Sequence, residues 1–413
     1  MVKRIIWVSL LLVIQLVAFC WTPTAEALTE NQQLFNEAWR IVSQAYLDDT
    51  FNGQNWWLVR QKALKKPLLD RESTYAAIQQ MLASLDDPFT RLLKPNQYRS
   101  LQTSTSGELT GVGIQIALNP ETGQLEVIAP IQGSPAEQAG ILPRDQILRI
   151  DGFSTAELTL DEAAERMRGP IGSIVRLTVA HAGKPAGGQP LEIQLRRDRI
   201  ALNPVQAELR TEGGISIGYI RLSQFNAKAV SEMTQAITRL EQQGASSFIL
   251  DLRNNPGGLL QAGIEIAGLW LDQGTIVYTV NRQGTLGAFT ADRQVLTRDP
   301  LVVLVNRGTA SASEILAGAL QDNRRAQLVG ERTFGKGYIQ SLFSLSDGSG
   351  LAVTIAKYET PNHHDIHKVG ILPDQVVPLN IMTRQQMGTE MDQQYQAAVK
   401  LLANHSVLAG AAS

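Results

Sequence analysis

The chain has 413 residues, with 37 Lys and Arg against 39 Asp and Glu and a formal charge of −2. At about 150 residues per domain this length predicts two or three domains, and a hydrophobic content of 44% excludes both a polytopic membrane protein and a disordered chain. The charge balance leaves no basic footprint for nucleic acid and no field to steer acidic lipids or substrates, and a single cysteine excludes a disulfide framework or a Cys-rich metal site.

Lys3 and Arg4 precede an apolar run from Ile5 to Phe19, broken only by Ser9 and Gln15, and Ala25-Glu26-Ala27 follows. A charged start, an apolar middle and an A-x-A site predict a secretory signal peptide cut after Ala27. The alternatives are a retained anchor, for which the run is short against the ~20 residues of a bilayer span, and lipid attachment at Cys20, which bulky Phe19 fits badly. Cleavage would leave a soluble, cysteine-free protein of an exported compartment.

Residues 28–106 read as structural helices. Thr29 with Gln32 suits a capping box, and Leu34, Ala38, Ile41, Val42 and Ala45 share one helical face. A further helix is expected from near Ser73, burying Tyr75, Ile78, Leu82 and Leu85 and ending at Asp86-Asp87-Pro88.

From Gly107 the pattern turns to short strands. Gly111-Val112-Gly113-Ile114-Gln115-Ile116 alternates, as does Leu125-Glu126-Val127-Ile128. Ser134-Pro135 through Gly140 is a short helix with its caps visible. Ile147–Ile150 runs into an Asp151-Gly152 turn, then a helix over 160–168 and strands at Ile174–Val179 and Leu191–Leu195. Gly183 to Pro190 reads as a loop. This order of elements over 107–199 resembles a PDZ domain. Gly111, Val112, Gly113 and Ile114 sit where such domains receive a peptide's free carboxylate, because glycines let successive N–H groups face one concavity beside a strand edge.

From residue 200 strands and helices alternate to about 380, predicting an α/β core, and a helical segment closes the chain over 381–413. Strands are expected at Ile215–Arg221, Phe248–Leu252, Thr275–Val280, Leu301–Val305, Tyr338–Leu345 and Leu351–Tyr358. Helices are expected at Lys228–Gln243, Leu259–Leu269 and Ala312–Gln321.

Three segments of this core carry chemistry. In Arg307-Gly308-Thr309-Ala310-Ser311-Ala312-Ser313-Glu314, small residues flank Ser311, and the Ala312 N–H lies in a first helical turn, where the helix dipole favours an anion. Both serines also suit plain N-caps. In Gly330 to Gln340, Gly330, Gly335 and Lys336 imitate a phosphate-binding loop. Gly337 replaces its hydroxyl residue and a strand replaces its helix, which excludes a nucleotide site. A lysine desolvated in such a stretch can act as a general base, and Gln340 would share its face if the segment is extended. In Asp251-Leu252-Arg253-Asn254-Asn255-Pro256-Gly257-Gly258, the amides of Gly257 and Gly258 could form an oxyanion hole, with Asp251 and Arg253 a supporting ion pair. The cluster His363-His364-Asp365-Ile366-His367 lacks the H-E-x-x-H framework and reads as a solvated turn, so no metal is expected.

Together, G-T-A-S-A-S-E-I at 308–315, F-G-K-G-Y-I-Q at 334–340 and D-L-R-N-N-P-G-G at 251–258 resemble the C-terminal processing peptidases, the tail-specific serine proteases. Tyr46 to Asn52, followed by Gln54-Asn55-Trp56-Trp57, looks like the cyanobacterial and plastid branch; His363-His364, where many relatives carry a glycine-containing turn, departs from it. The resemblance implies an α+β multidomain chain with a helical N-terminal domain, a PDZ-like β domain and an α/β crotonase/Clp-protease-like peptidase core. It implies Ser311 as nucleophile, Lys336 as base, Gln340 orienting Lys336, and an oxyanion hole of Gly257 or Gly258 with Ala312. No cofactor is implied. The implied substrates are proteins with a free C-terminus, among them the precursor of the photosystem II reaction-centre D-one subunit, met in the thylakoid lumen or periplasm. A non-catalytic tail-binding chaperone and an acyl-thioester enzyme on the same core are the alternatives.

Overall fold

Thr29 caps the first helix as its sequence predicts: Gln32 N–H donates to Thr29 Oγ1 at 3.2 Å, and Thr29 N–H donates to Gln32 Oε1 at 3.0 Å. In the computed structural model the described residues are 28–119, 122–131, 133–181, 190–212, 214–378 and 386–411. The expected signal peptide, Cys20 and residues 183–189 of the glycine-rich loop lie outside them. The chain forms two compact units, one of residues up to Leu92 with Leu342–Val353, the other of Leu93–Ser341 with Thr354–Ser413. The helical region expected to run to residue 106 is therefore divided at residue 92, and a later segment joins its first part.

In the first unit, α1 (Glu30–Ala45), α2 (Trp56–Leu64) and α3 (Arg71–Ala83) bury Leu34, Phe35, Ala38, Val42, Tyr75 and Ile78. The third helix starts before the expected Ser73, because Asp70 is its cap and accepts the Ser73 N–H at 2.7 Å. Tyr75 donates its hydroxyl to Asp347 at 2.6 Å, fastening segment 342–353 to these helices.

A short strand, β1 (Arg91–Leu93), precedes α4 (Pro95–Ser106). There follow β2 (Glu108–Gly111), β3 (Ile114–Leu118), β4 (Leu125–Pro130), α5 (Pro135–Gln138), β5 (Gln146–Ile150), β6 (Phe153–Ser154), α6 (Leu160–Met167), β7 (Ile174–Ala180), β8 (Leu191–Arg196) and β9 (Asp198–Ala201). Strands 3, 4, 5, 7 and 8 make one sheet in that order, with β3 at its edge, while β2 pairs with β9. Val112, Val127, Ile147, Ala163, Met167 and Leu177 fill its core. The alternating run 111–116 is not one strand. Gly113 takes φ +77°, and a Cβ there would lie 2.3 Å from Ser134 Cβ, so the chain turns where Ser134 packs in.

The remaining elements are β10 (Val205–Glu212), β11 (Ile215–Leu222), α7 (Ala229–Gln242), β12 (Ser247–Asp251), α8 (Leu260–Trp270), β13 (Thr275–Asn281), β14 (Gly284–Thr290), β15 (Leu301–Val305), α9 (Ala312–Asp322), β16 (Gln327–Gly330), β17 (Tyr338–Ser344), β18 (Gly350–Glu359), β19 (Gln375–Val376) and α10 (Gln393–Ala411). The central sheet runs β10-β11-β12-β15-β16-β19, antiparallel at the first pair and parallel thereafter. The run Leu301-Val302-Val303-Leu304-Val305 is buried throughout because both sheet faces are covered. Leu250, Val303, Val305 and Leu328 face the helices α7, α8 and α9, while Ile249, Val302, Leu304 and Val329 face Tyr395, Ala398 and Leu402 of α10. The loops that leave β12, β15 and β16 emerge side by side at the carboxyl ends of parallel strands, where α/β sheets hold ligands.

Candidate active site

The three chemistry-bearing segments are those three loops. They are laced together. Thr309 Oγ1 donates to the Leu252 carbonyl at 2.9 Å, Ala310 N–H to the Asn255 carbonyl at 3.0 Å, and Phe334 N–H to the Thr309 carbonyl at 3.0 Å. Asn306 bonds both the N–H and the side-chain oxygen of Asn254, at 2.9 and 3.0 Å. Ser313, fully buried, donates its hydroxyl to the Asn255 carbonyl at 3.0 Å and is a structural serine.

Ser311 differs. It is half-buried, takes the N-cap position of α9 and adopts φ +58°, ψ −120°. A non-glycine residue there stores on the order of 1–3 kcal/mol of strain, a cost that clusters at active sites. Glu314, three residues on, reaches back to the Ser311 N–H at 2.9 Å through Oε2. The same oxygen accepts the Lys336 N–H at 2.9 Å, and Oε1 accepts Gly335 N–H at 2.7 Å and the Thr333 hydroxyl at 2.5 Å. One buried carboxyl thus holds Ser311 and Lys336 by their backbones. Burial pushes the Glu314 carboxyl up, against the pull of these four donors. Its S-x-x-E spacing was visible in sequence as a capping pattern; its grip on residue 336 was not.

Gly257 and Gly258 follow β12. A Cβ on Gly257 would lie 2.7 Å from the Ala310 carbonyl oxygen and 2.9 Å from Ser311 Cβ, so glycine is what lets this loop lie against Ser311. The Gly257 N–H donates to Asn255 Oδ1 at 2.9 Å. Gly258 is exposed and bridges Phe225, but the bonds run through the Gly257 carbonyl and Leu259 N–H and leave its own N–H out. Ala312, buried, is the first residue of α9, where helical N–H groups have no intrahelical acceptor.

Gln340 lies in β17, which begins only at Tyr338. Lys336 precedes the strand, so the expected same-face argument does not apply to the pair, and Gln340 Nε2 donates to Thr354 Oγ1 at 3.4 Å. Asp251 and Arg253, both fully buried, pair at 2.7 and 2.9 Å; Arg253 also grips both oxygens of Asp392, at 2.7 and 2.9 Å, and Gln394 at 3.1 Å. Tyr219 donates to Asp251 at 2.7 Å. Burial alone would raise the Asp251 carboxyl, but the guanidinium beside it holds it below the usual range.

Gly111, at the end of β2, and Val112 and Gly113, which follow it, are buried, and Ile114 opens the edge strand. Helix α6 packs alongside that strand, with Ala163 and Met167 in one core with Ile114 and Ile116. His363 stacks on Tyr278 and His367 on Tyr338, and among the described residues no three His, Cys, Asp or Glu side chains gather to hold a metal ion. Among them, too, no helix is long and apolar enough to cross a membrane.

Comparison with known proteins fits this arrangement. Residues 216–377 match peptidase family S41, residues 126–181 match the PDZ domain, and residues 28–85 match the tricorn protease C1 domain. A carboxyl-terminal-processing protease of Synechocystis sp. is 62% identical over 382 residues, covering 92% of this chain and 89% of that one. Another, from Picosynechococcus sp., is 61% identical over 401 residues, covering 97% and 96%. A solved structure titled photosystem II D1 C-terminal processing protease is 42% identical with a TM-score of 0.56, covering 85% of this chain and 94% of that one. Fold and site together define a serine-type peptidase with a PDZ domain set into it. The chain belongs to peptidase family S41, among the carboxyl-terminal-processing proteases.

Proposed function

We propose that the chain is a Ser311–Lys336 endopeptidase that removes C-terminal extensions from exported proteins, including the precursor of the photosystem II reaction-centre D-one subunit. The observation that carries this reading is the Glu314 Oε2 atom, which accepts the N–H of both residues at 2.9 Å. The domain over 107–199 would hold the free carboxylate at Gly111–Ile114, and the core over 200–380 would cut. The substrate assignment follows the likeness to the photosystem II processing protease. A signal peptide over 1–27 would deliver the protein to the thylakoid lumen or periplasm.

In this reading neutral Lys336 takes the Ser311 hydroxyl proton as Oγ attacks the scissile carbonyl. The amides of Gly257 or Gly258 and of Ala312 receive the oxyanion, each lowering the barrier by ~3 kcal/mol. The intermediate collapses as the leaving amine takes the proton from Lys336. Lys336 then draws a proton from water, whose oxygen attacks the acyl ester, and Ser311 recovers its hydrogen with release of the new carboxylate. Gln340 keeps the lysine's end of β17 in place through Thr354.

Digestion of a tail-bearing precursor, read by mass spectrometry, tests the reading. Ser311→Ala and Lys336→Ala should each lose about 10⁴-fold in turnover while still binding tail peptides. A general base requires turnover of the native protein to rise with pH; a rate flat between about pH 5 and 9 contradicts the base assignment. Full cleavage by Lys336→Ala would leave only a different base, and no cleavage by any form would favour a tail-binding chaperone.

A further inference from the structure

We propose that Tyr358 is a positioning residue for this reaction, its hydroxyl tying the backbone at Ser311 to the backbone at Lys336. The inference rests on the Ser311–Lys336 reading above. Tyr358 lies in β18 and is almost fully buried. Its hydroxyl donates to the Lys336 carbonyl at 2.7 Å and stands 3.1 Å from the Ser311 carbonyl. One proton cannot point at both, so the shorter link is the principal one and the longer a three-centre partner.

Three further facts give the contact its meaning. The Tyr358 N–H donates to the Gly337 carbonyl at 3.0 Å, so this residue holds the lysine-bearing segment by side chain and main chain at once. Glu314 grips the N–H groups of residues 311 and 336, and Tyr358 reaches their carbonyls; each residue is held at both its N–H and its C=O. Finally, the ring belongs to the apolar cluster under α8 and α9, where Phe would pack as well, so packing does not call for the hydroxyl. Burial first, then the carboxyls of Glu314 and Asp365, push the phenol well above its ordinary range, and it remains a donor throughout the working pH range. The bracket matters because residue 311 holds a positive φ of 58° that would relax if released and move its Oγ.

Tyr358→Phe tests this, with peptide hydrolysis and with a fluorophosphonate probe that labels nucleophilic serines. The expected result is a kcat lowered by about 10- to 100-fold with KM within about twofold, since a displacement near 1 Å is enough for such a loss. The probe's labelling rate should fall by a similar factor while the final labelled fraction stays complete. p-Aminophenylalanine at 358, which restores an N–H donor on the same ring, should recover most of both rates. The proposal is overturned if the Phe variant keeps native rates, if labelling becomes incomplete at an unchanged rate, or if the aminophenyl variant, folded, reacts no faster than the Phe variant. Should Tyr358→Phe not fold, the aminophenyl variant alone decides, with near-native rates expected. Lys336→Ala run in parallel separates the two readings. If it is inert and Tyr358→Phe is native-like, only the role of Tyr358 falls; if Lys336→Ala is fully active, the dyad falls.

Discussion

Glu314 carries the most crowded set of contacts at the site, with four donors converging on two oxygens in a buried setting. Glutamine in its place offers one acceptor oxygen and turns an NH₂ group toward N–H groups. At least one donor loses its acceptor, at about 1–3 kcal/mol each when buried. Glu314→Gln should therefore lower the thermal midpoint by several degrees and reduce kcat by about 10²-fold, read by calorimetry and peptide hydrolysis. Native values in both would show that the carboxylate is dispensable. At this scale the sequence pointed to the groups proposed to react and was nearly silent about the groups that hold them. Ser311, Lys336 and the paired glycines stand in runs of small residues. Tyr358 sits in an ordinary apolar strand, and only the folded chain brings it 47 positions back to residue 311.

Elements with strong periodicity were legible: α1, α7, α9 and the strand Leu301–Val305 lie within a residue or two of where the pattern placed them. The strands β16 and β19 are too short to show a period, and β10 alternates with largely exposed residues that pay no tribute to a core. Least legible was the tie between Arg253, just after β12, and Asp392, just before α10, because 139 positions separate them. That tie anchors the glycine loop from below. The same guanidinium also pairs with Asp251, whose pKa is depressed, so the stabilisation from that carboxylate is complete above the unfolded-state value, about 3.9, and disappears as pH falls through the lower folded-state value. Denaturant midpoints should accordingly fall steeply below about pH 4, and Asp251→Asn should flatten that limb. A limb as steep in the variant would place the acid sensitivity elsewhere.

For the whole molecule, the order of a helical region, PDZ domain and α/β core was readable from the change of period along the chain. The division into units was not, because segment 342–353 reaches the N-terminal helices through contacts such as Tyr75 to Asp347, far apart in sequence. Recognition of chain ends belongs to this scale. If Gly111–Ile114 receive a terminal carboxylate, amidating a substrate's last residue should raise KM by about tenfold or more with kcat little changed. An unaltered KM would remove that role from the domain.

Among the described strands β3 ends its sheet, and this carries a broader implication if a substrate's end pairs there. Main-chain groups are alike in every polypeptide, so a margin that paired with them would sort candidates by slackness rather than by spelling. A protein whose end is tucked into its own body would pass untouched, and the same protein would be captured once that end frays. Selectivity would then be a matter of timing, set by the moment at which each client lets its last residues go.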